Sequence, residues 1–169
     1  MSELHSLPHG PKRPAAAVLE PLREPVGAAG HRVIALVGPP NSGKTTLFNR
    51  LTGLRQKVAN YPGVTVDYHV GQMILNSKTL DVVDLPGVYS LTPRSEDEQV
   101  THNILHGLTD GMRKPDAVLL VLDATNLSRH LMLAAPILAM GIPTLILLNM
   151  ADELRRRGGD VDNEAQANP

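Results

Sequence analysis

Residues 38–45 have the types and spacing of a loop that can enclose phosphate oxygens. They read G-P-P-N-S-G-K-T, which fits the pattern G-x-x-x-x-G-K-[ST], and they lie between a short apolar run and a helical stretch. Glycine lets successive backbone N–H groups turn inward onto phosphate, Lys44 can reach the β and γ phosphates, and the Thr45 hydroxyl can ligate Mg²⁺. The alternative is a glycine-rich turn with a solvated lysine, but motif and context together favour a phosphate-binding loop.

A second motif, D-x-x-G at residues 84–87, ends another apolar run. Here Asp84 can hold a Mg²⁺-bound water, and the backbone N–H of Gly87 can meet a γ-phosphate. An aspartate before Pro-Gly is often only a turn, so the motif is weak alone. Its position after a phosphate-loop strand favours the metal-binding interpretation.

The third motif, N-x-x-D, consists of Asn149 and Asp152 with Met150 between them, and follows the last apolar run. The Asp152 carboxylate can accept two hydrogen bonds from guanine N1 and N2, a pair of donors that adenine lacks. A lone N-x-x-D is more often a helix cap, but its position at the carboxyl end of a strand favours base recognition.

A loop between the first helix and the next strand carries Gly63, Val64 and Thr65. It is long enough to order around a ligand, which makes Thr65 a candidate Mg²⁺ ligand that binds only when a γ-phosphate is present. A threonine that merely begins a strand is an equally good interpretation.

The elements that must position these motifs follow from hydrophobic patterns. Apolar runs at 33–37, 117–122 and 144–148 indicate buried strands, while the alternating segment 65–71 predicts a half-exposed strand with 80–84 as its antiparallel partner. Helices are predicted over 44–51, over 95–109 behind a Ser95/Glu98 capping box, and from Leu127 to Leu138. Alternating strands and helices predict an α/β fold with a mostly parallel sheet and helices on both faces.

Composition excludes several classes of protein. The 169 residues carry 16 basic and 17 acidic side chains, so the net charge is −1. This charge gives no positive electrostatic potential that would attract nucleic acid or an anionic membrane. Cysteine is absent, so disulfides and thiolate metal sites are excluded. The apolar runs are too short to span a membrane, and no export signal is evident.

Three regions are expected along the chain. Residues 1–30 contain five of the fourteen prolines and read as a disordered leader rich in proline and alanine. The folded domain is predicted over 31–154. A polar tail, expected to be disordered, covers 155–169.

Taken together, the motifs resemble the N-terminal GTPase domain of the ferrous iron transport protein B (FeoB) family. The resemblance rests on N-S-G-K-T-T-L-F-N at 41–49, L-T-G at 51–53, V-A-N-Y-P-G-V-T-V at 58–66, D-L-P-G-V-Y-S-L at 84–91 and N-M-A-D at 149–152. It implies a P-loop NTPase of the Ras-like G-domain type that binds GTP and GDP with Mg²⁺ and hydrolyses GTP slowly. It also implies a cytoplasmic domain at the inner face of the inner membrane, partnered by the permease part of an iron transporter in the same or a separate chain.

The resemblance also assigns site residues. Nucleotide-binding positions are Gly38, Pro39, Pro40, Asn41, Ser42, Gly43, Lys44, Thr45, Thr46, Gly63, Val64, Thr65, Asp84, Leu85, Pro86, Gly87, Asn149, Met150 and Asp152. Catalytic positions are Lys44, Asn41 and Thr65, and Mg²⁺ ligands are Thr45, Thr65 and Asp84. Asn41 is assigned to a K⁺ ion that lies where an arginine finger would; a turn residue that tethers its own loop is an equal alternative.

The sequence departs from related patterns at several points. Pro39 stands where the family usually has Asn, and Val88 stands where Ras-like enzymes place a water-orienting Gln. The sequence ends before an S-A-x segment, so the last strand and helix of the fold are expected to be missing. The alternatives are a ribosome-assembly GTPase and a degenerate G domain that binds a partner without hydrolysis. Glu98, His102 and His106 share a helix face, which we interpret as a solvated face rather than a metal site.

Overall fold

A computed structural model describes residues 26–27, 30–53 and 56–160. The expectations for residues 1–25 and 161–169 lie outside the described residues. In chain order the elements are β1 (Arg32–Val37), α1 (Lys44–Thr52), β2 (Gln56–Asn60), β3 (Asp67–Leu75), β4 (Lys78–Asp84), α2 (Glu96–His106), β5 (Ala117–Asp123), α3 (Leu127–Ala139), β6 (Thr144–Asn149) and α4 (Ala151–Arg156), with a short 3₁₀ turn at Ala124–Asn126.

The strands form one six-stranded sheet in the order β2-β3-β4-β1-β5-β6. β1 pairs in parallel with β4 and β5, and β5 pairs in parallel with β6, while β2, β3 and β4 form an antiparallel meander. The parallel strands β1, β4 and β5 are largely buried, as expected where helices cover both faces. The predicted burial of 144–148 is wrong, because β6 lies at the edge of the sheet and its Leu145 and Ile146 are 68% and 39% exposed. The predicted antiparallel pairing of the 65–71 and 80–84 segments is confirmed.

Helices cover both faces of the sheet. On one face the core joins strand side chains with those of α2 and α3, including Val100, Ile104, Leu133 and Ile137. On the other face Phe48 of α1 packs against Leu36 and Val82. The predicted capping box begins α2, since Ser95 Oγ accepts from the Glu98 N–H at 3.2 Å and the Glu98 carboxylate accepts from the Ser95 N–H. Among the described residues no helix has both the length and the apolar content needed to cross a bilayer.

Several predicted element boundaries are wrong. The helix predicted over 95–109 ends at His106, and the strand predicted over 80–84 begins at Lys78. The predicted strand 65–71 begins at Asp67 and continues to Leu75, and the polar tail predicted from residue 155 overlaps α4, which extends to Arg156. β2 was not predicted, because Gln56 and Lys57 are exposed at the sheet edge and the strand is held by backbone pairing with β3. An exposed edge strand of this kind lacks the pattern of apolar residues from which a strand is predicted.

The end of the predicted leader is also corrected. Val26 is 5% exposed and forms a bridge with Met112, and the Gly27 N–H donates to the buried Asp81 carboxylate at 2.9 Å. His31 Nδ1 lies 3.2 Å from the same carboxylate. The ordered domain therefore includes Val26 and Gly27, because a buried acceptor on β4 compensates for the poor local propensity of this segment.

Candidate nucleotide-binding site

The phosphate loop joins β1 to α1 in a conformation that depends on its residues. Gly43 has φ +84° and caps α1, and Asn41 has φ +62°. A Cβ on Gly38 would lie 2.4 Å from the Val121 carbonyl oxygen, so only glycine fits between the loop and β5. The loop thus presents the N-terminus of α1 at the carboxyl edge of the sheet, where anions bind.

Lys44, Thr45 and Asp84 converge beneath this loop. Lys44 Nζ forms a salt bridge with Asp84 Oδ1, and Thr45 Oγ1 donates to Asp84 Oδ2 at 2.9 Å. Lys44 and Asp84 are 7% and 3% exposed, so the two charges neutralise each other in a buried setting. The carboxylate and hydroxyl oxygens are the donor type that Mg²⁺ prefers, and the ammonium is the group that binds phosphate. The phosphate loop and the D-x-x-G motif are therefore in direct contact through these side chains.

An open cavity of about 620 Å³ lies over the loop. Its lining residues are Pro39, Pro40, Asn41, Gly43, Lys44, Thr45, Thr46, Gly87, Asp97 and Met150. Gly87 of the D-x-x-G motif packs on the loop itself, because a Cβ there would lie 3.0 Å from the Pro40 backbone. The loop and the D-x-x-G motif thus form a single wall, and the Val88 N–H donates to the Gly38 carbonyl at 3.1 Å to hold them together.

Asn149 at the end of β6 contacts the phosphate loop directly. Its Nδ2 donates to the Ser42 carbonyl at 2.8 Å, and a Cβ added to Gly43 would collide with the same nitrogen. Met150 follows with φ +62°, which turns the chain into α4, and it lines the cavity. The N-x-x-D motif therefore begins at the carboxyl end of β6 and lies beside the phosphate loop.

Asp152 lies in the first turn of α4 and is exposed. The backbone N–H of Glu153 and, next, the Arg156 side chain lower the pKa of its carboxyl below the ordinary value. Arg156 Nη2 lies 3.1 Å from Asp152 Oδ2. The carboxylate is therefore ionised at neutral pH and, being exposed, can accept further hydrogen bonds.

The loop residues Gly63, Val64 and Thr65 are not among those that line the cavity in the described part of the chain. Instead, Thr65 Oγ1 donates to Glu96 Oε2 at the start of α2, over 3.0 Å. The predicted proximity of Thr65 to the Mg²⁺ ligands Thr45 and Asp84 is thus not seen in this conformation, in which the Thr65 hydroxyl donates its hydrogen bond to Glu96 on α2.

Sequence reasoning missed Asp97, which lines the cavity from the first turn of α2. The available signal was its place in the acidic first turn of α2, between the capping-box residues Ser95 and Glu98. On the same helix, Glu98 is used by the capping box, and the His102 and His106 rings stack 4.1 Å apart. Among the described residues no group of three or more His, Cys, Asp or Glu side chains could hold a metal ion.

These features define the class of protein: a P-loop NTPase with the sheet, phosphate loop, D-x-x-G and N-x-x-D of a G domain. Residues 32–168 match the family model for ferrous iron transport protein B. The chain belongs to the FeoB family.

Relatives and solved structures agree with this assignment. The chain is 45% identical over 137 residues to the Fe(2+) transporter FeoB of Salmonella typhimurium and 41% identical over 133 residues to that of Legionella pneumophila. These alignments cover 78% and 76% of this chain but 17% of each relative. The match is therefore to a small part of the transporter.

Among solved structures, the cytosolic domain of L. pneumophila FeoB superposes with a TM-score of 0.72 at 40% identity, covering 79% of this chain and 56% of that one. The G domain of T. maritima FeoB gives 0.70 at 38% identity, with 80% of each chain covered. A GDP-bound S. thermophilus NFeoB mutant gives 0.68 at 44% identity and 78% and 49% coverage. The predicted fold class is confirmed, and the family match favours a FeoB domain over the ribosome-assembly alternative.

Proposed function

We propose that this chain binds GTP and GDP with Mg²⁺, hydrolyses GTP slowly and serves as the regulatory G domain of a ferrous iron transporter. The observation that carries the proposal is the convergence of Lys44, Thr45 and Asp84 under a phosphate loop to which Asn149 is hydrogen-bonded. Lys44, Thr45 and Asp84 form the phosphate end of the site, which suits a triphosphate with its metal. Asn149 marks the base end, which suits a nucleotide base.

The side chains at the phosphate end are suited to bind both the nucleotide phosphates and Mg²⁺. Lys44 would bind the β and γ phosphates, and the oxygens of Thr45 and Asp84 would hold Mg²⁺, directly or through water. Because Lys44 and Asp84 already neutralise each other, phosphate and metal would each take one partner of the pair without leaving a buried charge unpaired. Bound Mg²⁺ would supply charge neutralisation at the phosphates.

The base end supports guanine. The Asp152 carboxylate does not line the cavity, but it is ionised and exposed in the first turn of α4, two residues after the cavity-lining Met150, and it would accept from both N1–H and N2–H of guanine. Adenine would place an unprotonated N1 against the same carboxylate. We therefore expect GTP and GDP to bind more tightly than ATP.

Hydrolysis must depend on groups other than a glutamine. Val88 is 2% exposed and packs in the core, so it cannot orient water. Asn41 lines the cavity in a left-handed backbone conformation, and its amide oxygen is a suitable ligand for K⁺. Bound K⁺ would spread the charge that develops between β and γ oxygens. Thr65 and the Gly87 N–H would add contacts to metal and γ-phosphate.

The setting of the domain follows from its relatives. The curated relatives are named Fe(2+) transporters, and solved relatives are described as cytosolic domains. We therefore propose that the chain acts on the cytoplasmic side of the inner membrane with a membrane permease as its partner. The net charge of −1 gives no basis for a nucleic-acid partner.

The proposal is tested by competition against a fluorescent GDP bound to the chain in Mg²⁺. Unlabelled GTP and GDP should displace the probe at concentrations at least about tenfold below those needed for ATP, since ATP leaves the Asp152 acceptors unpaired. Equal displacement by ATP and GTP would contradict the proposal.

A further inference from the structure

The loop that carries Thr65 is a compact unit. Over residues 61–66, here called the switch loop, the Tyr61 N–H donates to the Val66 carbonyl at 3.1 Å and the Val64 N–H donates to the Tyr61 carbonyl at 3.4 Å. Gly63 has φ +83°, which permits the tight reversal. Tyr61 and Thr65 therefore belong to one closed turn, and a contact made by either side chain constrains the other.

Both ends of the switch loop contact the same face of α2. Thr65 Oγ1 donates to Glu96 Oε2 at 3.0 Å, and Asn103 Nδ2 donates to the Tyr61 hydroxyl at 2.9 Å. Glu96 and Asn103 are seven residues apart, about two turns, so they lie on one face of the helix. The switch loop thus lies along α2 with two points of attachment.

The two attachments differ in strength. At the Tyr61 end, Gln99 Nε2 donates to Asn103 Oδ1 at 2.8 Å, which orients the Asn103 amide so that its nitrogen faces the tyrosine. Thr109 Oγ1 also lies 3.5 Å from the Tyr61 hydroxyl, and these contacts are partly buried. The Thr65–Glu96 contact is exposed. Partly buried, connected hydrogen bonds are more costly to break than an exposed one, so the Tyr61 end is the anchor and the Thr65 end is the releasable contact.

We propose that Glu96 is a positioning residue that holds Thr65 outside the nucleotide cavity, so that the GTP-bound arrangement must first break the Thr65–Glu96 contact. The inference rests on the proposed function and adds its regulation. Asp97, the neighbour of Glu96, lines the cavity, whereas Thr65 does not. Glu96 and the Mg²⁺–γ-phosphate group compete for Thr65, while GDP has no γ-phosphate with which to compete. The contact therefore favours GDP over GTP by the free energy of one hydrogen bond.

The test compares the dissociation constants of fluorescent GDP and a fluorescent non-hydrolysable GTP analogue, in Mg²⁺, for the full chain. Glu96→Ala should raise the preference for the GTP analogue by about two- to tenfold, with GDP affinity unchanged. Glu96→Gln keeps an acceptor oxygen and should stay nearer the unsubstituted chain. Asp110→Ala removes an exposed carboxylate elsewhere and should change neither constant.

A double-substitution cycle separates this account from a simple charge effect. In a Thr65→Ala background the substitution Glu96→Ala should have no further effect, because there is no hydroxyl left to release. The same shift in both backgrounds would mean that the carboxylate merely repels the γ-phosphate, and would overturn the inference. An unchanged preference in Glu96→Ala would overturn it as well. If the unsubstituted chain bound neither nucleotide, the proposed function itself would fail.

The anchor has its own test. Tyr61→Phe removes only the hydroxyl that accepts from Asn103, so it loosens the switch loop without touching the cavity. We expect a shift towards the GTP analogue in the same direction as for Glu96→Ala. No shift would show that the Tyr61 end does not hold the switch loop.

Discussion

Asn149 Nδ2 and the Ser42 carbonyl oxygen, 107 residues apart in sequence, are joined by a hydrogen bond of 2.8 Å. The bond connects the motif that would read the base to the loop that would enclose the phosphates. Because both groups are partly buried, breaking the bond leaves the carbonyl without its partner. The two ends of the site are therefore set relative to each other by the protein.

Asn149→Ala should weaken this relationship in a way that Asp152→Ala does not. Loss of the partly buried bond should lower the free energy of unfolding by about 1–2 kcal/mol and weaken GDP binding. Asp152 is exposed, so Asp152→Ala should weaken GDP binding with little change in stability. Thermal unfolding and GDP titration of both variants check this. Equal stability of the two variants would contradict a structural role for Asn149.

Two glycines with positive φ provide a matched pair of substitutions. Gly43 and Gly53 have φ +84° and +60°, so alanine at either should cost about 1–2 kcal/mol in backbone strain. Only at Gly43 would the new Cβ meet a neighbour, the Asn149 amide, at 2.1 Å; nothing lies within 4 Å at Gly53. We expect Gly43→Ala to abolish measurable GDP binding and Gly53→Ala to leave it intact. Titration of each variant with GDP checks this prediction. Equal GDP affinities of the two variants would be inconsistent with the Gly43–Asn149 contact.

Hydrophobic patterns were enough to predict the centre of the sheet. β1 and β5 are short apolar runs whose side chains are largely buried, and the cap at Ser95 is a local signal. The apolar run of β6 predicted a strand but not its exposure, because β6 lies at the edge of the sheet with Leu145 68% exposed. The edge strand β2 carries no such pattern. Apolar runs therefore predict where strands occur, but they predict burial correctly only for the strands inside the sheet.

The nucleotide site also has a part that the sequence could predict and a part that it could not. Lys44, Asp84 and Asn149 could be predicted because their motifs follow strands whose ends must meet at one edge of the sheet. The contacts of Thr65 with Glu96 and of Val26 with Met112 could not, because each depends on how a loop or terminus packs against a distant element. Spacing in the sequence does not encode such pairings.

GTP hydrolysis, which we propose for this chain, should respond to K⁺ through Asn41. We expect faster phosphate release in K⁺ than in Na⁺, and loss of this difference in Asn41→Ala, which removes the amide oxygen. Val88→Ala should leave the K⁺ response in place, since Val88 offers no polar group. Equal rates in the two salts for the unsubstituted chain would contradict the proposed role of Asn41.

Asp123 should contribute to stability in a pH-dependent way. Partial burial raises the pKa of its carboxyl. Hydrogen bonds from Thr125 and Asn126 lower the pKa by more than burial raises it, so the pKa lies below its usual value. A lowered pKa in the folded state means that the stabilisation is present above the unfolded pKa of about 3.9 and is lost as the pH falls through the folded value.

The measurement is urea unfolding of Asp123→Asn beside the unsubstituted chain at several pH values. The gap between them should be widest near neutral pH and narrow below about pH 4. Asp110→Asn, at an exposed aspartate, serves as the control. A gap that does not change with pH would contradict the assignment of the hydrogen bonds to the charged carboxylate.

We propose that Asp152 recognises guanine, and a change of base specificity tests this role most directly. Asp152→Asn replaces an acceptor by an amide that can donate to the C2 oxygen of xanthine while still accepting from N1–H. Competition of GDP and XDP against a fluorescent nucleotide should therefore show weaker GDP binding and tighter XDP binding in the variant than in the unsubstituted chain. Unchanged GDP and XDP affinities in Asp152→Asn would contradict the account.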